Sequence, residues 1–137
     1  MSQAIVYLNF DGNASKAMNF YKNALGGELE LQKVKESAMT SNLPETVQDQ
    51  ILHGCLTNEG IIIMASDMCG MGSMENGNSV QICLNCDSDE EINTFFNNLS
   101  TKATIKEPLS LAPWGATFGM LTDQFGKHWM FNYTQPQ

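Results

Sequence analysis

The chain opens on a short run, Ala-Ile-Val-Tyr-Leu-Asn-Phe at residues 4–10, whose apolar and β-prone character predicts a strand. Asp11-Gly12-Asn13 reads as a turn, with Asn13 placed to cap a helix. Apolar residues follow at Ala14, Ala17, Met18, Tyr21 and Leu25, the spacing of a helix with one buried face. Gly26-Gly27 ends it, because glycine takes the left-handed conformation that closes helices. Residues 28–34 predict a second strand. The polar stretch 35–50, containing Pro44, has no clear period and predicts a long loop with room for a short helical turn. Residues 51–56 and 61–66 predict two further strands joined by a hairpin turn at Asn58-Glu59-Gly60.

After the Gly-, Met- and Asn-rich residues 68–79, the order repeats. Residues 80–86 predict a strand. Ser88 and Glu91 have capping-box spacing, and Asp89, Glu90 and Glu91 suit the positive end of a helix dipole. The helix they start carries Ile92, Phe95, Phe96 and Leu99 on one face. Strands follow near 103–107, 116–122 and 127–133, the last preceded by the turn Asp123-Gln124-Phe125-Gly126. Phe20-Tyr21 recurs 75 residues on as Phe95-Phe96, an offset that pairs Ile5 with Val80. The hairpin glycines Gly60 and Gly126 lie 66 apart, so the first half holds about nine extra residues, placed in the 35–50 loop. The prediction is an α+β chain of two βαβββ modules in tandem, module one at 1–67 and module two at 80–137, with 68–79 as linker.

Composition narrows the function classes. A 42% hydrophobic content across 137 residues is enough for a core, and no apolar run approaches membrane-span length. Residues 1–4 lack the basic start of a signal peptide, so a cytoplasmic location is expected. Seven Lys and Arg against 15 Asp and Glu, net charge −8, argue against nucleic acid or an anionic membrane as partner. Cysteines at 55, 69, 83 and 86 are expected to be reduced thiols. Cys83 and Cys86 fall three apart on a predicted strand, hence on opposite faces, and do not make half of a zinc site. Gly70-Met71-Gly72 does not sit between a first strand and its helix, so it is a flexible loop rather than a nucleotide fingerprint.

The order and spacing of Tyr7-Leu-Asn-Phe-Asp-Gly-Asn-Ala14, Phe20-Tyr21, Gly26-Gly27-Glu28, Met64-Ala-Ser-Asp67, Trp114-Gly115 and Asp123-Gln-Phe-Gly-Lys-His-Trp-Met-Phe-Asn132 resemble the vicinal oxygen chelate superfamily, and more narrowly its PhnB-like branch. The resemblance covers nearly the whole chain. It implies curved mixed sheets around a cavity, and a homodimer. It implies no particular reaction. Metal-dependent members use one ligand on the first strand and one on the last strand of each module, the latter four residues past the hairpin glycine. Here those last-strand positions are Met64 and Met130, and the first-strand positions align with Ile5 and Val80, or with Val6 and Gln81 after a one-residue slip. None is a His or a carboxylate, the side chains that hold a hard divalent ion in this arrangement, so no metal and no cofactor are expected.

Two methionines at equivalent positions suggest instead an apolar, adaptable wall, although both are equally suited to filling core space. The candidate pocket residues are Tyr7, Asn9, His53, Met64, Asp67, Trp114, Phe118, His128 and Met130. His128, Met130 and Asn132 share one strand face, as do Ile5, Tyr7 and Asn9. His53 and His128 are the only imidazoles, each a candidate donor or base unless it is structural. Asp67, at a strand end, is a candidate polar anchor. Trp114, in a Pro-Trp-Gly turn, has the position of a lid. The expected function is binding of a small molecule without a metal; the alternative is a lyase, isomerase or dioxygenase type of enzyme acting on a small activated substrate.

Overall fold

In the computed structural model, which describes residues 2–136, the strand–helix–three-strand order occurs twice. The first copy comprises β1 (Val6–Phe10), α1 (Ala14–Leu25), β2 (Glu28–Lys33), β3 (Ile51–Asn58) and β4 (Ile61–Asp67). The second comprises β5 (Ile82–Asn85), α2 (Asp89–Leu99), β6 (Thr104–Leu111), β7 (Ala116–Thr122) and β8 (His128–Thr134). The sheets run β1-β4-β3-β2 and β5-β8-β7-β6, with first and last strands parallel and the other neighbours antiparallel. The chain is thus α+β, with two four-stranded mixed sheets and no closed barrel. It divides into two compact units between Glu75 and Asn76. Among the described residues no helix is long and apolar enough to cross a membrane.

In each unit the helix packs on one face of its own sheet. In the first unit Ala14, Ala17, Met18, Tyr21, Ala24 and Leu25 of α1 are buried, against β2, β3 and β4. The strand residues that meet them are Phe10, Leu56, Ile63 and Ala65, all buried. In the second unit Ile92, Phe96 and Leu99 of α2 are buried, and Phe96 meets Phe131 edge-on with ring centroids 5.1 Å apart. Each large side chain so buried stabilises the fold by about 1.5–3 kcal/mol. Phe95, placed by the sequence on the same face, is only half-buried. Two glycines make room on the covered faces. A Cβ on Gly54 would lie 2.7 Å from Leu31 Cδ2, and one on Gly119 would lie 2.8 Å from Leu109 Cδ2.

Two local expectations are corrected. Asn13 makes no side-chain cap; the first amides of α1 are held by Asp67, far away in sequence. Residues 35–50 are not a plain loop. They contribute most of the single helical turns at Val34–Glu36, Thr40–Asn42 and Glu45–Val47, and Val34, Val47 and Cys69 form a small buried cluster of their own. Within 68–79, Met68 N–H bonds the Phe10 carbonyl at 2.8 Å in the first unit, and Asn76 and Gly77 bond residues of the second. The cap at Ser88 forms as expected, accepting from Glu91 N–H at 3.0 Å, but the Glu91 carboxylate reaches Asp87 N–H rather than that of Ser88.

Candidate functional site

Strand parity leaves the second face of each sheet without a helix, and the register decides which residues meet there. In the first unit Met64 of β4 lies opposite Tyr7 of β1 and Cys55 of β3, and Cys55 lies opposite Glu30 of β2. Asn9 pairs with Ser66 in the next row, and His53 pairs with Gln32. Tyr7 is 48% exposed, and its ring centroid is 6.1 Å from that of His53, which is also exposed. Tyr7, Asn9, His53 and Met64 therefore share one open face.

Asp67 does not belong to it. It is 4% exposed, on the helix side of β4. Its Oδ1 accepts from Gly12 N–H at 2.8 Å and Ala14 N–H at 2.9 Å, and its Oδ2 accepts from Ile51 N–H at 2.8 Å. This carboxylate caps α1 and ties β3 to the end of β4, and contacting a ligand would leave buried amides unsatisfied. The candidate polar anchor is structural.

In the second unit Met130 of β8 lies opposite Cys83 of β5 and Met120 of β7, and Asn132 lies opposite Asn85 and Phe118. Asn132 donates to Asn85 Oδ1 at 2.9 Å. Trp114 is 66% exposed and meets Phe118 edge-on, centroids 5.5 Å apart. His128 is on the same face, but both ring nitrogens are engaged. Nε2 sits 2.7 Å from the Gly77 carbonyl, which can only accept, so Nε2 carries the proton; Nδ1 then accepts from the Thr122 hydroxyl at 2.9 Å. The imidazole fastens residue 77 to β8 and is not a free base. A second buried carboxylate, Asp123, accepts at Oδ1 from Phe125 and Lys127 N–H and at Oδ2 from Trp129 Nε1 at 2.8 Å. Lys127, nearly buried beside it, has its pKa lowered by burial, with the Asp123 charge opposing the shift.

The register also corrects the alignment of the two halves. Tyr7 and Cys83, not Ile5 and Val80, stand beside the two methionines, which moves the first-strand offset from 75 to 76. Val6 pairs with Ile63 on the helix side, and Ile5 and Val80 lie outside the strands. The two methionines and the first-strand residues beside them are therefore two thioethers, a phenol and a thiol, and this set does not fit a hard divalent ion. Cys55, Cys83 and Met120 were not singled out from the sequence. Period-2 alternation marks their faces, but only pairing across strands shows that they flank the methionines.

A family model described as 3-demethylubiquinone-9 3-methyltransferase matches residues 2–131. Among curated proteins, the chain is 28% identical to Protein YjdN of Escherichia coli (strain K12) over 140 aligned positions, covering 96% of this chain and 95% of that one. Among solved structures, it is similar to protein PA1353 from Pseudomonas aeruginosa, 35% identical, with a TM-score of 0.88, covering 99% of this chain and 100% of that one. It shares its fold with a PhnB protein from Bacillus cereus, described as a putative 3-demethylubiquinone-9 3-methyltransferase, at 23% identity and a TM-score of 0.76 over 97% of this chain and 100% of that one. More distant structures of glyoxalase, bleomycin-resistance and fosfomycin-resistance type have the same fold. The chain therefore belongs to the family whose model is described as 3-demethylubiquinone-9 3-methyltransferase.

Proposed function

We propose that the protein binds a small, largely apolar molecule on its open sheet faces without a divalent metal. The observation that carries this reading is the content of the positions flanking Met64 and Met130: Tyr7 and Cys55 in one unit, Cys83 and Met120 in the other. Thioethers and an aromatic ring make adaptable apolar contacts, and the few polar groups beside them, Asn9, Ser66 and His53, orient a ligand. Exposed Trp114, edge-on to Phe118, serves as a lid. A homodimer in the cytoplasm is the proposed form, since pairing would cover the edge strands and open faces. Light scattering near twice the 15.1 kDa chain mass is the expected result.

The reading is tested by titrating the protein with the neutral fluorescent probe N-phenyl-1-naphthylamine before and after EDTA treatment. Saturable binding unaffected by EDTA is expected. Absence of saturable binding overturns it, as does near-stoichiometric zinc, nickel, iron or manganese whose removal abolishes binding. A second reading, a superfamily enzyme acting by proton transfer, is favoured by one observation, the exposed His53 imidazole beside the Tyr7 phenol. Under it, His53→Gln abolishes turnover of an activated substrate.

A further inference from the structure

We propose that the open face of the second unit is a binding site for one soft monovalent cation, Cu(I) or Ag(I), held by the sulfur atoms of Cys83, Met130 and Met120. This goes beyond small-molecule binding and does not depend on it. The three residues occupy one register row on three adjacent strands, Cys83 paired with Met130 and Met130 paired with Met120. Neighbouring strands are about 4.8 Å apart, so the row spans roughly 10 Å between its outer Cα atoms. Two flexible thioether side chains close that gap over the central strand, toward an ion above Met130.

The surrounding groups leave the donor set all sulfur. His128, the nearest imidazole on the face, has one nitrogen on Gly77 and the other on Thr122. Cys86 is buried, its thiol donates to the Leu84 carbonyl, and burial pushes its pKa up to about 12. Among the described residues no three His, Cys, Asp or Glu side chains come together as a metal site, so a hard ion has no competing cluster. A thiolate with two thioethers is a soft donor set, which selects Cu(I) and its analogue Ag(I) over hard divalent ions.

Binding breaks the Cys83 S–H bond and forms an S–metal bond, with the proton passing to solvent; the thioethers donate lone pairs, and no oxidation state changes. Because the exposed Cys83 thiol gives up its proton on binding, metal uptake releases a proton and is favoured by higher pH.

The test is calorimetric titration of the reduced protein with Ag(I), followed by methyl NMR of methionine labelled with carbon-13. One high-affinity equivalent per chain is expected, with the Met120 and Met130 methyl signals moving together. Cys83→Ser should abolish the event, and Met130→Leu and Met120→Leu should each weaken it by about tenfold or more. Met39→Leu, altering an exposed methionine away from that row, should leave it unchanged. If the leucine variants bind like the parent, Cys83 is a lone reactive thiol and the proposal fails. It also fails if the parent's methionine methyl signals stay still on silver binding, a readout that no folding defect in a variant can mimic.

Discussion

Asp67→Asn isolates the carboxylate that joins α1, β3 and β4. The change keeps size and shape and replaces one acceptor oxygen with an amide donor. If the remaining oxygen stays on Gly12 and Ala14, the new NH2 faces Ile51 N–H, previously bonded at 2.8 Å. A hydrogen bond to a charged group contributes about 1.5–3 kcal/mol, and leaving a buried donor unsatisfied costs about 1–3 kcal/mol. These are two views of one lost interaction, so the net expectation is about 2 kcal/mol. For a chain of this size that corresponds to a fall in Tm of roughly 7 °C. Asp67→Ala, which strands all three amides, should cost more, about 4–6 kcal/mol. Urea unfolding followed by circular dichroism measures both, with exposed Asp11→Asn as a control expected to change stability by less than about 0.5 kcal/mol. An Asp67→Asn variant within about 1 kcal/mol of the parent would refute the assignment of Asp67 as a buried tie.

Trp114→Ala should lower stability by less than about 1 kcal/mol, because the ring is 66% exposed, yet weaken binding of N-phenyl-1-naphthylamine; a large drop in Tm would place the ring in the core instead. Gly27→Ala should destabilise by more than about 2 kcal/mol, since φ is +92° and the new methyl would collide with the Thr57 carbonyl oxygen; a parent-like melting curve would contradict that packing. Burial raises the Cys86 thiol from 9.0 to about 12 in the folded protein, so the protonated form is favoured by folding. The stability this contributes is complete below pH 9.0 and is lost as pH rises toward about 12. Cys86→Ala should flatten that alkaline decline, and an unchanged slope would show that the thiol does not titrate with folding.

Much of the fold was legible because its two periods are clean. The helical spacing from Ala14 to Leu25 and the alternation from His128 to Tyr133 each identify an element and its buried face. The tandem repeat was visible in Phe20-Tyr21 and Phe95-Phe96, but its register along the first strands was not. One residue of slip leaves an apolar run looking the same while sending every side chain to the other face. Asp67 illustrates a second limit. A carboxylate at a strand end reads as a polar anchor, and only tertiary contact shows that it is consumed by amides more than fifty residues away in sequence. His128 was on the expected face, but its role depended on Gly77, which folds against β8. Residues 35–50 lacked a period because single helical turns around a small cluster bury too few side chains to make one.

The central claim is that a small molecule rests against the methionine rows of the open faces. The most direct test is methyl NMR of the protein, treated with EDTA and carrying carbon-13 in its nine methionine methyl groups, during titration with N-phenyl-1-naphthylamine. The account predicts saturable shifts at Met64 and at Met130 with its neighbour Met120, and none at Met18, which is wholly buried under α1 on the opposite face. Shifts confined to exposed Met39 and Met71, or no saturable shift at any methionine, would contradict it.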